Sequence, residues 1–228
     1  MKKLIFSILF LVISIHSYSQ HLKIGFESGY GSYKMLDLKD LNTLIKKSFP
    51  FTTEMVSDFP SHIYYKPSVI IKFNRFGVGM NYEFLSTGSR ISGKDYSGEF
   101  RTDFLVKSNV YGFSGEFYSK FQKGYQIICY LNVGKSFSTL NASQFFKVQD
   151  SVFYDSKSIY KAHNYLIEPG LRLEYSYKSF SIGLNGGYAF QFGGESFGLQ
   201  GNKDIKLGNS ARPDWSGIRL GISLYYKI

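Results

Sequence analysis

The sequence predicts an all-β protein: an eight-stranded antiparallel transmembrane β-barrel with short periplasmic turns and long external loops. Three observations predict it. Apolar and polar residues alternate with period two in eight segments beyond residue 20. The connections between those segments are alternately tight and long, as in a membrane barrel. Aromatic residues, 22 Phe and 19 Tyr in 228 residues, bracket the tight turns as a membrane-interface girdle would.

Each strand rests on its own alternation. Leu22, Ile24 and Phe26 alternate with Lys23, Gly25 and Glu27, and Tyr65, Pro67, Val69, Ile71 and Phe73 with Lys66, Ser68 and Lys72. Phe76, Val78, Met80, Tyr82 and Phe84 alternate with Gly77, Gly79, Asn81 and Glu83. Tyr111, Phe113 and Phe117 are interleaved with Gly112, Ser114 and Glu116, and Ile127, Cys129, Leu131 and Val133 oppose Gln126, Asn132 and Gly134. Tyr165, Ile167, Leu171 and Leu173 alternate with Glu168, Gly170, Arg172 and Glu174. Phe180, Ile182, Leu184 and Tyr188 alternate with Ser181, Gly183, Asn185 and Gly187. The chain ends with Ile218, Leu220, Ile222, Leu224 and Tyr226 set against Arg219, Gly221 and Ser223.

Tight connections fall at Asn74-Arg75, Gln122-Lys123-Gly124 and Lys178-Ser179, and long polar ones near 34–61, 86–102, 138–160 and 193–214. A hairpin hidden in the first or third long connection would raise the count to ten strands. Phe73, Phe76, Phe121, Tyr125, Tyr177 and Phe180 flank the turns and share the aliphatic face. The other face is Gly, Ser and Asn with full charges, a poor dry core but a suitable lining for a narrow lumen. A soluble, lipocalin-like barrel would reverse the two faces.

The first 19 residues read as a cleaved signal peptide, leaving 20–228 as the barrel domain. Lys2-Lys3 precede an apolar run, Leu4 to Ile15, and Ser17 and Ser19 supply small residues two apart. Twelve residues are too few to span a bilayer core of roughly 30 Å as a helix. Export argues against nucleic acid as a partner of this chain, despite its net charge of +10. The long loops are nearly neutral, so the positive surplus belongs to strands and short turns. One Cys and four scattered His (16, 21, 62, 163) exclude a disulfide framework and a metal cluster. No glycine-rich phosphate loop stands between a strand and a helix, and no cofactor is expected.

The last strand carries a polar residue, Gly and apolar residues at fixed offsets in Arg219, Gly221, Leu224 and Tyr226. It resembles the C-terminal assembly signal of bacterial outer-membrane proteins, with Ile228 in place of the usual terminal Phe. The mature chain accordingly resembles the small outer-membrane β-barrel family, most closely the PorT-like (outer membrane protein beta-barrel) group. That resemblance implies a place in the outer membrane of a Gram-negative bacterium. It also implies outer-membrane lipids and lipopolysaccharide as surroundings, the barrel-assembly machinery as a partner during biogenesis, and no reaction.

By parity Lys23, Lys66, Lys72, Arg172 and Arg219 share the inner face with Glu27, Glu83, Glu116, Glu168 and Glu174. Five bases match five acids, and an eight-stranded barrel has room for little but its side chains. Buried charges must pair or cost several kcal/mol each, so an interior plugged by ion pairs is expected in preference to a gated ion path. Arg75, Lys120, Lys123, Lys178 and Lys227 beside the turns are expected to reach inner-leaflet phosphates. Lys107, Lys135, Lys161 and His163 have outward parity near the loop ends and form a candidate contact for lipopolysaccharide phosphates.

Leu38, Leu41 and Ile45, with Asp37 as a candidate N-cap and Lys46-Lys47 near the end, predict a short amphipathic helix in the first long loop. It would pack on the rim, lie over the mouth as a lid, or face a partner. His62 with Ser61, and His163 with Ser158, are the residues a lipid-A enzyme would use, but nothing fixes a base against a nucleophile. The function expected is therefore that of a membrane scaffold or surface-binding protein acting through its external loops. The alternative is transport, as a small pore or a secretion-apparatus component.

Overall fold

The computed structural model describes residues 20–48, 53–94, 96, 98–148, 151–208 and 210–228; the expected signal segment, 1–19, lies outside them. In chain order the elements are β1 (Gln20–Gly31), α1 (Leu36–Ser48), β2 (Glu54–Asp58), β3 (His62–Phe73), β4 (Phe76–Lys94) and β5 (Gly98–Gln122). They continue with β6 (Tyr125–Val148), β7 (Ser151–Tyr177), β8 (Phe180–Phe192), β9 (Gly198–Leu199), β10 (Asn202–Lys206) and β11 (Gly217–Lys227). Among the described residues, eight strands close a ring: β1, β3, β4, β5, β6, β7, β8, β11 and back to β1, each antiparallel to its neighbours. Closure leaves no sheet edge, which hydrocarbon demands because nothing there can pair a free N–H or C=O. β2 stands outside the ring, paired to the upper part of β4, and β9 joins β7 to β10.

Tight turns join the ring strands at one end. Asn74 and Lys178 adopt left-handed backbone there (φ 50° and 52°), between the register pairs Phe73↔Phe76 and Tyr177↔Phe180. At the other end two of the expected long loops are strand instead. The β4–β5 ladder runs unbroken from Phe76↔Phe117 to Lys94↔Glu99, and β6–β7 extends to Val148↔Ser151. Residues 86–102 and 138–160 do not alternate apolar-out, which is why they read as loops.

β5 shows the reason. In its lower half Tyr111, Phe113 and Phe117 face outward, exposed, while Ser114, Glu116 and Tyr118 are buried in the lumen. In its upper half the faces exchange character: Phe104, Val106 and Val110 are buried inside, and Arg101 and Lys107 are exposed outside. The lower outer surface is apolar all round, with Ile24, Val78, Met80, Leu171, Leu184, Leu220 and Leu224 all roughly half exposed or more. A contiguous patch of that extent is not left in water, and a band that encircles a closed barrel suits the hydrocarbon of a membrane.

Two rings of cross-strand aromatic pairs bound this band. Phe76–Phe117, Tyr125–Tyr175 and Phe180–Tyr226 mark the turn side, with centroids 5.4, 4.8 and 5.1 Å apart. Tyr82–Tyr111, Tyr111–Phe137 and Tyr165–Phe192 mark the far side at 5.2, 6.0 and 5.9 Å. From Tyr175 to Tyr165 the strand rises about 25 Å along the barrel axis, at roughly 3.3 Å per residue and a tilt of about 40°. That matches the apolar band of a membrane barrel. Of the six expected turn aromatics, the Phe121 side chain lies outside the described residues, and Phe76, Tyr125, Tyr177 and Phe180 are exposed on the outer face.

Above the band the ring encloses an apolar core. Leu85, Phe104, Val106, Val110, Leu140 and Leu166 from the walls pack with Tyr33, Met35, Leu38, Phe59, Phe197, Leu207, Ala211 and Trp215 from the connections. α1 forms where the periodicity predicts it. Leu38 is fully buried and Leu41 and Ile45 pack against the core, so the helix closes the upper barrel from within. Asp37 is not its cap: it sits in the first turn, and its carboxylate accepts the backbone N–H of Arg212 at 3.0 Å.

Inside the band, glycines make room for large rings. A Cβ on Gly25 would lie 2.1 Å from the Tyr225 ring, and one on Gly170 would lie 2.2 Å from that of Tyr130. Gly170→Val should therefore destabilise the barrel by about 1–3 kcal/mol through overpacking. Urea unfolding of the detergent-refolded protein checks this, and an unchanged midpoint would mean that Tyr130 does not occupy that space.

Candidate functional site

The lumen is filled from the turn end upward. Lys23 on β1 donates to both oxygens of Glu174 on β7, at 2.9 and 3.2 Å, and its ammonium lies 4.5 Å from the Tyr225 ring centroid. One layer higher, Arg172 reaches Glu116 and Asn185, each at 2.7 Å, while the Tyr118 hydroxyl donates to Glu116. Next, Lys66 on β3 donates to both oxygens of Glu168 on β7 at 2.7 and 2.9 Å and stands 4.0 Å from Glu27. Tyr64 donates to Glu27 at 2.5 Å. At the top Arg219 meets Glu83 at 3.4 Å and donates to the carbonyls of Ser32 and Trp215, both at 2.9 Å.

Trp215, the only Trp in the chain, seals the charged column against the apolar core above it. It is fully buried, its indole N–H donates to Ser138 at 2.9 Å, and its ring meets Tyr33 edge-on at 4.9 Å. Burial raises the Tyr33 phenol to about 12, against the pull of the Arg219 guanidinium. Tyr33 therefore stays neutral, and Glu83 is the carboxyl group that lies within ion-pair distance of Arg219.

Of the ten residues expected on the inner face, nine are buried and each of the nine lies within 4.0 Å of an opposite charge, Glu27 at the limit of that distance. Lys72 differs. It donates to Gln126 at 3.4 Å and lies over the Tyr118 ring at 4.1 Å, with no carboxylate within ion-pair distance among the described residues. Lys227, expected to reach lipid phosphates, instead turns inward: it donates to Ser176 at 2.6 Å and is 3.7 Å from Glu174. Strand parity counted from Arg219 places it there. Four lumen tyrosines, Tyr64, Tyr118, Tyr130 and Tyr225, also escaped the sequence reading, although parity with Lys66, Glu116, Asn132 and Ser223 was available for each of them.

Pro67 and Pro169 have a specific place in this arrangement. Each lacks an N–H, and the β3–β4 register skips Lys66 and Pro67 just as β7–β8 skips Glu168 and Pro169. β3 and β7 are diametrically opposed, with three strands between them in either direction around the ring. The Lys66–Glu168 pair thus ties together the two walls at the level where each has lost ladder bonds.

On the outer face Lys107, Thr139 and Lys161 form one row across β5, β6 and β7. Lys135 lies between Tyr111 and Tyr165 in the row nearer the membrane, and His163 pairs with Phe137 in the row between. The four basic residues share a face and span four residues along the strands. Glu195 stands 3.2 Å from His163, and Asp103, the nearest acid on β5, is held by Arg90 and Arg101. His62 and His163 lie on the opposed strands β3 and β7. The His62 ring lies 3.3 Å from the carbonyl of Ile63, and the chain brings the two histidines to no common site.

Arg219, Gly221, Leu224 and Tyr226 divide between the faces. Arg219 is buried in the ladder and Gly221 opposes Gly29 across the β1–β11 seam, while Leu224 and Tyr226 face lipid.

No protein-family model matches the chain, and no curated protein matches it in sequence. Among solved structures it is similar to a major outer membrane protein of Thermus thermophilus, with a TM-score of 0.55 at 10% identity over 91% of this chain and 99% of that one. At that identity the likeness is one of fold. The N-terminal β-barrel domain of Pseudomonas aeruginosa OprF (TM-score 0.39, 10% identity, 91% of this chain and 97% of that one) aligns less well. So does Ail, the attachment invasion locus protein of Yersinia pestis (0.37, 11%, 92% and 99%). Neither alignment carries weight here.

Lys66→Met should destabilise the barrel by about 3–5 kcal/mol, because Glu168 is left buried without its partner. The double variant Lys66→Met/Glu168→Met should recover most of that loss. A double-mutant cycle on urea midpoints checks the pair, and additive losses would contradict the coupling.

Proposed function

We propose that this chain is an integral outer-membrane barrel without enzymatic activity, closed along its axis, that acts through the sheet it raises above the membrane. The observation that carries the proposal is the continuous filling of the lumen from Lys23–Glu174 up to Arg219–Trp215 and the core beyond. A column of paired charges under a packed apolar plug leaves neither a wetted path nor mobile charge to carry ions. The fold shared with the Thermus protein supports an outer-membrane setting. The extended β4–β7 sheet then presents a rigid surface to the exterior, held by its own core rather than by lipid.

Where that sheet leaves the band, Lys107, Lys135, Lys161 and His163 are placed to contact phosphate groups of lipopolysaccharide. Lys135 and His163 stand within the far aromatic ring and Lys107 and Lys161 just above it, at the depth of the headgroups. Lys107 and Lys161 are exposed and have no acid within ion-pair distance among the described residues. This leaves them available to an anion.

Two measurements test the proposal. In planar bilayers the purified protein should show no unitary conductance steps, and steady ohmic steps would support the small-pore alternative instead. Lys107→Gln/Lys135→Gln/Lys161→Gln should weaken binding to lipopolysaccharide by about a hundredfold, at roughly 1 kcal/mol per lysine near an anionic surface. Unchanged binding would remove the patch from the account.

A further inference from the structure

The pairing of the inner charges leaves a positive surplus at the turn end. With Glu174 held by Lys23 and approached by Lys227, and Glu116 held by Arg172, no acid among the described residues lies within ion-pair distance of Lys72. Two cavities open there and share that lysine. One, of ≈ 310 Å³, is bounded by Lys72 and Gln126 from the lumen, Arg75 from the β3–β4 turn, and Phe117 from the lipid face. The other, of ≈ 420 Å³, adds Lys23, Lys178 and Lys227. No Asp or Glu side chain lines either cavity among the described residues. Arg75, likewise, has no carboxylate within ion-pair distance among them.

The first cavity joins two environments. Lys72 enters it from the inner face, whereas Phe117 belongs to the outer aromatic ring and packs on Phe76 at 5.4 Å. A ligand seated there would meet cations at one end and an aromatic, lipid-facing wall at the other, at headgroup depth. We infer that this cavity binds the headgroup of an anionic phospholipid of the inner leaflet. The Arg75 guanidinium offers a planar fork for two phosphate oxygens, and Lys72 supplies a point charge. The first carbons of the acyl chains lie along Phe76 and Phe117. This goes beyond general snorkelling of turn residues, because Lys72 points into the lumen and the opening beside Phe117 brings it to the lipid. The inference rests on the barrel standing in a bilayer, and it is independent of conductance and of the outer basic patch.

Native mass spectrometry of the folded barrel in detergent, offered phosphatidylglycerol and phosphatidylcholine in equal amounts, tests it. One phosphatidylglycerol should be retained in about tenfold or greater preference, as two cations near an anionic lipid predict. Lys72→Gln/Arg75→Gln should lose that preference. Arg75→Gln alone, in an exposed turn, should weaken it while leaving the shift in gel mobility on boiling unchanged, which separates a lost site from a lost barrel. Equal retention of the two lipids by the wild-type chain, or an undiminished preference in the folded single variant, would overturn the inference. Displacement of the lipid by millimolar inorganic phosphate would overturn it in favour of a free-phosphate site.

Discussion

The outer face of this sheet meets two solvents in succession, hydrocarbon and then water, and the same strands pass from one into the other. A strand has a period of two in both. What must change at the boundary is which set of side chains is apolar, and the chain changes it within a few residues. On β5 the exchange falls between Val110, buried inside, and Tyr111, exposed outside. Below that point apolar groups face lipid and the polar set must be satisfied in the lumen. Above it the arrangement is that of a water-soluble sheet, with Phe104 and Val106 in a core and Arg101 and Lys107 in solvent.

The contents of the lumen follow from this constraint. Eight strands enclose little more than side chains, so polar groups sent inward by the lipid-facing pattern must bond to one another. The inner face meets most of that demand with alternating acids and bases, glycines that admit tyrosine rings, and hydroxyls that complete the charged layers, while the Tyr130 hydroxyl is buried without a hydrogen-bond partner among the described residues. Pairs such as Lys66–Glu168 contribute modestly to stability in themselves, since desolvation offsets much of their attraction. Their larger effect is on register and closure. A strand slipped by one residue would send every charge into hydrocarbon, and the cross-lumen pair links opposite walls where Pro67 and Pro169 interrupt the ladder.

Much of this was legible in the sequence because parity is a strict rule inside the band. The eight strands, the three tight turns, the lipid face and the inner positions of Lys23 through Arg219 all follow from alternation. The upper strands were not legible for the same reason. Beyond Tyr111 and Phe137 the apolar residues move to the inner face, so a search for apolar-outward alternation loses β4–β7 and reports loops at 86–102 and 138–160. Trp215 and Phe197 reach the plug through irregular segments with no period to follow. Lys227 was missed differently: its parity was available, but its closeness to the turns favoured the lipid reading. Asp37 resembled a helix cap in sequence, yet α1 begins before it and the carboxylate serves the Arg212 backbone.

The exchange of faces along β5 is the central claim, and depth measurements on that strand test it most directly. In a Cys129→Ala background, spin labels placed singly at 101, 103, 107, 111, 113, 115 and 117 would be scored in bilayers for collision with oxygen and with a water-soluble nickel complex. The account predicts nickel accessibility at 101, 103 and 107, a crossover near 111, and oxygen accessibility at 113, 115 and 117. Nickel accessibility along the whole series would contradict it, since the apolar face would then stand in water.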